Sequence, residues 1–143
     1  MDSLEIIEYL KGDKAFIGTY SSNTLPRQIL KVPAKLVVNL SPSYESGSHW
    51  IAIYIDRHHN GFYFDPFGIG PKNENIIDFL KTNCKTKLFI NEKMIQPNDS
   101  NKCGKYCVGF LKSTSKMSTF FNTFKSCDQY NDKKIEQLIR GFV

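Results

Sequence analysis

The chain lacks a basic start followed by an apolar run, and no apolar stretch approaches the length needed to span a bilayer. Its first residues, MDSLEIIEYLKGDK, are acidic and amphipathic instead. No secretory leader and no membrane contact are therefore expected, and a reducing, intracellular setting is. Cysteine is scarce: Cys84, Cys103, Cys107 and Cys127 are the four, and only Cys103 and Cys107 lie close together. Structural zinc usually takes two such close pairs, so the missing second pair argues against a metal. A disulfide between two cysteines along one helix has poor geometry, so free thiols are expected. Asn39 and Asn98 each open an N-x-S match, which means little without secretion. Repeats, low-complexity tracts and linkers are missing too, and residues 1–143 are expected to form one domain.

What is present is an ordinary globular composition, 41% hydrophobic and 23% charged, rich in rings with 11 Phe and 7 Tyr. Large rings fill a small core efficiently. The net charge of +5 and a pI near 9.0 permit a polyanionic partner without demanding one. The densest basic span runs through Lys81, Lys85, Lys87, Lys102, Lys105, Lys112 and Lys116, spread rather than clustered.

Periodicity predicts an α+β fold with a central, mostly antiparallel or mixed sheet flanked by helices. Leu4, Ile7 and Leu10 have helical spacing behind a Ser3 cap. AFIGTY reads as a short strand, AKLVVNL (34–40) as a buried one, and HWIAIYID (49–56) with FYFDPFG (62–68) as a hairpin signalled by Asn60-Gly61. NENIIDFLKTNC (73–84) places Ile76, Ile77 and Leu80 on one helical face, TKLFIN (86–91) reads as a strand, and the chain turns helical from about Lys102.

Thiol catalysis needs a thiol, an imidazole, a group to orient the imidazole, and donors for an oxyanion. Cys103 opens a helix after a polar loop, where exposed amides favour a thiolate and its own N–H can serve as an oxyanion donor. Gly104 would leave room for a substrate chain. His49 opens a strand, and the hairpin sets Asp65 beside it, within reach of one ring nitrogen. A satisfied structural histidine and an Asp-Pro turn starter are the plainer alternatives. Gln96, seven residues before Cys103, has an amide able to donate to an oxyanion, or simply a solvated loop position. Cys107, one turn after Cys103, is expected to be a buried hydrophobe, and His58 and His59 to be exposed turn residues.

Taken in order, GSHWIAIYID, FYFDPFG, then Gln96 seven residues before CGKYC, the chain resembles the adenain family of adenovirus maturation proteases and, more distantly, the Ulp1-like proteases of ubiquitin-like modifiers. AFIGTY is similar to a segment near the adenain start. The resemblance covers roughly residues 1–115 and implies an adenain/Ulp1-like cysteine protease fold. It implies Cys103 as nucleophile, His49 as general base, Asp65 as its orienting group, and Gln96 with the Cys103 N–H as oxyanion hole, without a metal. Asp65 stands where adenains usually carry Glu. Trp50 matches the family's His-Trp pair beside the site, and Gly47 and Gly104 fit a narrow cleft that admits Gly near the scissile bond. Adenains are stimulated by DNA and by a viral peptide joined through a disulfide, for which Cys84 lies near the matching region. The implied protein is a monomeric viral endopeptidase cutting capsid or core precursors, in the virion and the host nucleus. An isopeptidase acting on ubiquitin-like modifiers and a non-enzymatic basic nucleic-acid-binding module are the alternatives.

Overall fold

A computed structural model describes residues 1–45, 48–124 and 127–142. Five strands, β1 (Phe16–Ser21), β2 (Ala34–Asn39), β3 (Trp50–Ile55), β4 (Gly61–Phe64) and β5 (Leu88–Ile90), form one sheet in chain order. The helices are α1 (Ser3–Leu10), α2 (Glu74–Asn83), α3 (Cys103–Lys112), α4 (Met117–Thr123) and α5 (Gln129–Arg140). The class is α+β, as expected. The sheet is evenly mixed, because β1–β2 and β4–β5 pair parallel while β2–β3 and β3–β4 pair antiparallel. A parallel partner needs a long crossover, and the stretches 22–33 and 65–87 supply it.

Alternation along β3 divides the core in two. Ile51, Ile53 and Ile55 face α2, meeting Ile76, Phe79 and Leu80. Ala52 faces the other way, into a larger core built from α1, α3, α4 and α5. Rings dominate that second core: Phe64 stacks on Phe110 at 4.6 Å between centroids, Phe120 packs edge-on against both, and Phe124 edge-on against Phe120. Such pairs contribute about 1 kcal/mol each beyond the area they bury. This packing ties the end of β4 to α3, the two elements that carry Asp65 and Cys103.

Local details depart from the sequence reading. Asp2 is the cap of α1, its carboxylate accepting the Glu5 N–H at 2.9 Å, and Ser3 is already helical. The helix buries Ile6 and Leu10, while Leu4 is 75% exposed. The β3–β4 hairpin does not turn on Asn60-Gly61. It closes over Asp56–Asn60, with His59 in the left-handed region at φ 64 and the Asp56 carboxylate gathering the amides of His58 and Asn60. Gly61 sits in the strand because a Cβ there would lie 2.1 Å from Cys84 Sγ.

Candidate active site

Three elements converge on one point. His49 immediately precedes β3, Asp65 immediately follows β4, and Cys103 is the first residue of α3. Continuing the register Ala52↔Phe64 outward sets Phe67, not Asp65, across from His49. Phe67 accordingly stacks on the imidazole at 4.6 Å, and Asp65 reaches His49 diagonally. His49 Nε2 and Asp65 Oδ1 are 2.7 Å apart, with both side chains largely buried. Nε2 is therefore occupied by Asp65, which leaves Nδ1 to face Cys103.

Asp65-Pro66-Phe67-Gly68 is a turn closed by Gly68 N–H on Asp65 O at 2.8 Å, and Asp, Pro and Gly fall where such turns favour them. Oδ1 of Asp65 accepts the Phe67 N–H at 2.8 Å as well as facing His49. The turn-starter and orienting roles are thus combined in one carboxylate.

Cys103 is 9% exposed. α3 has no side-chain cap at its start, and the Cys103 sulfur meets the Gly104 amide and the Trp50 amide, the latter at 3.5 Å. Burial raises the thiol pKa, but the His49 ring and these amides outweigh it and hold the group below its ordinary value. Burial lowers the His49 pKa, yet Asp65 and the Cys103 sulfur carry it up to about 9. Both shifts run toward a thiolate–imidazolium pair, the form in which a thiol is nucleophilic.

Cys107 is fully buried, donates its S–H to Trp50 O at 3.4 Å, and has its pKa driven well up by burial. It is a packing residue, as expected. Gly104 does not open a cleft: the space for a Cβ is taken by Met1 at 3.1 Å and by Ile6 and Trp50 at 3.4 Å. It lets α1 and Trp50 pack closely on α3, which corrects the reading of it as substrate room. Trp50 is half-buried, and its indole N–H donates to Met1 O at 3.1 Å. Gly47 lies outside the described residues. Cys84 belongs to the other core, capping the end of α2, and burial pushes its thiol up to about 11. All four cysteines are unpaired. Among the described residues no group of three or more His, Cys, Asp or Glu side chains is placed to hold a metal.

Gln96 is 1% exposed and strung between anchors: its N–H donates to Pro66 O at 3.0 Å and its side-chain amide to Ser100 O at 3.0 Å. Its Oε1 is buried without a hydrogen-bond partner. α5 braces this loop from behind. Asn131 donates to Ile95 O at 2.8 Å, Asp132 Oδ1 accepts from Ser100 and Tyr106 at 3.0 and 2.8 Å, and Glu136 holds Lys102 at 2.8 Å and also Lys105. These α5 residues and Phe67 were not singled out from the sequence. Phe67 was within reach of register counting, whereas the α5 contacts span about 30 residues and leave no local signal.

No protein-family model matches the sequence, and no curated protein matches it. Among solved structures the chain is similar to a selenomethionine crystal structure of a protease from ASFV, at 23% identity and a TM-score of 0.48. The match covers 73% of this chain and 43% of that one, so the chain spans less than half the length of that protein.

Proposed function

We propose that the chain is a viral cysteine endopeptidase of the adenain and Ulp1-like kind. The observation that carries the reading is the joining of Cys103, His49 and Asp65 into one charge-paired cluster at the start of a helix. Cys103 thiolate attacks the scissile carbonyl, and the oxyanion is met by the Cys103 N–H and the Gln96 amide. His49 imidazolium then protonates the leaving amine. The neutral ring next takes a proton from water, which attacks the thioester and frees the enzyme. Asp65 keeps the ring oriented and favours its cationic form.

The proposed substrates are capsid or core precursor proteins with Gly near the cut, processed in the virion and the host nucleus. Stimulation by DNA and by a viral peptide belongs to the same proposal through the family resemblance. A peptide disulfide at Cys84 would use a half-buried thiol whose pKa burial pushes up to about 11, which disfavours its thiolate as the attacking group.

The test is labelling by a thiol-reactive active-site probe in the wild type, Cys103→Ala and Cys107→Ala. Fast labelling should vanish only in Cys103→Ala. Equal labelling of Cys103→Ala and wild type would defeat the assignment. Cleavage of precursor peptides but not of modifier fusions separates the endopeptidase from an isopeptidase.

A further inference from the structure

We propose that Asn91 is a positioning residue that sets the Asp65 carboxylate against His49; this rests on the protease reading of the site. The parallel ladder between β4 and β5 runs Gly61↔Leu88, Phe62↔Phe89, Tyr63↔Ile90 and then stops. Asn91 follows at once, and its side-chain amide takes over where the backbone ladder ends. Oδ1 accepts the Asp65 N–H at 2.9 Å, and Nδ2 donates to Asp65 O at 2.7 Å. Nδ2 also reaches Lys93 O at 3.2 Å, which ties the amide to its own loop.

A carboxamide has the same donor and acceptor as a peptide group, so Asn91 pairs with Asp65 as a neighbouring strand residue would. Both backbone polar groups of Asp65 are engaged by this one side chain, and the Gly68 N–H adds a second bond to the carbonyl. Asp65 lies beyond the end of β4 and has no ladder of its own. Without Asn91 its Cα is held from the turn side only, and the 2.7 Å contact with His49 depends on where that Cα sits. Displacements of about 1 Å in such constellations cost up to roughly a hundredfold in rate.

A merely structural role would lower stability and leave the chemistry of folded molecules alone, so the experiment compares two hydrogen-bonded carboxamides, Asn91 half-buried and Asn83 buried. Asn83 is the control: it is buried at the end of α2, accepts the Ile29 N–H at 2.7 Å and donates to Phe79 O at 2.9 Å, on the α2 side of the sheet. Wild type, Asn91→Ala, Asn91→Asp and Asn83→Ala are alkylated with iodoacetamide across a pH series. Each is held well below its own Tm, and the Cys103 rate constant is read by mass spectrometry. Asn91→Ala should slow Cys103 alkylation near neutral pH about tenfold, with the midpoint of its pH dependence moved upward. Asn91→Asp keeps the acceptor for the Asp65 N–H but sets a carboxylate oxygen against the Asp65 carbonyl. It should therefore fall with Asn91→Ala, and it secures the test if the alanine variant does not fold. Asn83→Ala should lose stability and keep the wild-type rate and midpoint. Wild-type rate and midpoint in a folded Asn91 variant overturn this inference alone. A wild type whose Cys103 reacts no faster than Cys127 overturns the protease reading, and this inference with it.

Discussion

Asp65 Oδ1 stands 2.7 Å from His49 Nε2 while the same oxygen accepts the Phe67 N–H at 2.8 Å. One carboxylate oxygen therefore braces a turn from inside and lies against a ring nitrogen. Asp65→Asn keeps an oxygen for both contacts and removes the charge that favours the imidazolium. Its kcat/KM on a peptide substrate should fall by about a hundredfold or more, with Tm close to wild type. Asp65→Ala also loses the turn contact and should show a lower Tm besides. Full activity in Asp65→Asn would exclude a role for that charge.

The pH profile follows from the two opposed shifts. His49 is raised from 6.5 to about 9, so the fold favours its protonated form. Its contribution to stability is complete below about 6.5 and is lost as pH rises through about 9. Cys103 is lowered, so its thiolate persists to more acidic pH than an ordinary cysteine. Activity should be bell-shaped, with an alkaline limb near 9 and an acid limb below the usual thiol range. Between those limbs the ion pair is the active form, whereas a neutral His49 acting as base would give a rise near 6.5. A rate that climbs through 6.5 and shows no fall near 9 contradicts the pair.

Much of the site was legible because it hangs on strand punctuation. His49 and Asp65 flank a hairpin whose alternation is plain in WIAIYI and GFYF, and hairpin pairing is local in sequence. Cys103 was legible as a thiol after a polar loop at the head of an amphipathic helix. The role of Gly104 was misread because a glycine beside a reactive thiol looks the same whether substrate or the chain's own α1 fills the space. The parallel pairings of β1 and β5 were missed because crossover strands carry no turn signal. Asn91 and Asp132 were invisible for a related reason: each acts on residues about 30 positions away, across a fold that must first be known.

Gln96 should act on the rate beyond the stability lost with its bond to Ser100 O. Its amide donates one hydrogen to Ser100 O, and in the proposed mechanism the second meets the oxyanion. Gln96→Ala should reduce kcat by about 10²-fold to 10³-fold with little change in KM. Asp132→Ala removes the acceptor of Ser100 and Tyr106, freeing the loop that carries Gln96. It should lower both Tm and kcat. A Gln96→Ala enzyme with wild-type kcat and raised KM would assign Gln96 to substrate binding instead.

Gly68 couples stability to the site most directly. Its φ is +72°, a region that disfavours side chains, and a Cβ there would meet the backbone of Lys93 and Met94 at 2.8 Å. Backbone cannot step aside as a side-chain tip can, so strain and overlap add. Gly68→Ala should cost at least about 2 kcal/mol, read as a lower urea midpoint at unchanged m. The same turn presents Pro66 O to the amides of Ile95 and Gln96, at 2.9 and 3.0 Å. Displacing it should therefore also lower kcat/KM in molecules that remain folded. Gly12→Ala is the contrast, since nothing lies within 4 Å of a Cβ there and its φ is unstrained. It should leave both stability and rate unchanged. A Gly68→Ala protein with wild-type midpoint and rate would mean that the Asp65–Gly68 turn does not anchor the Gln96 loop.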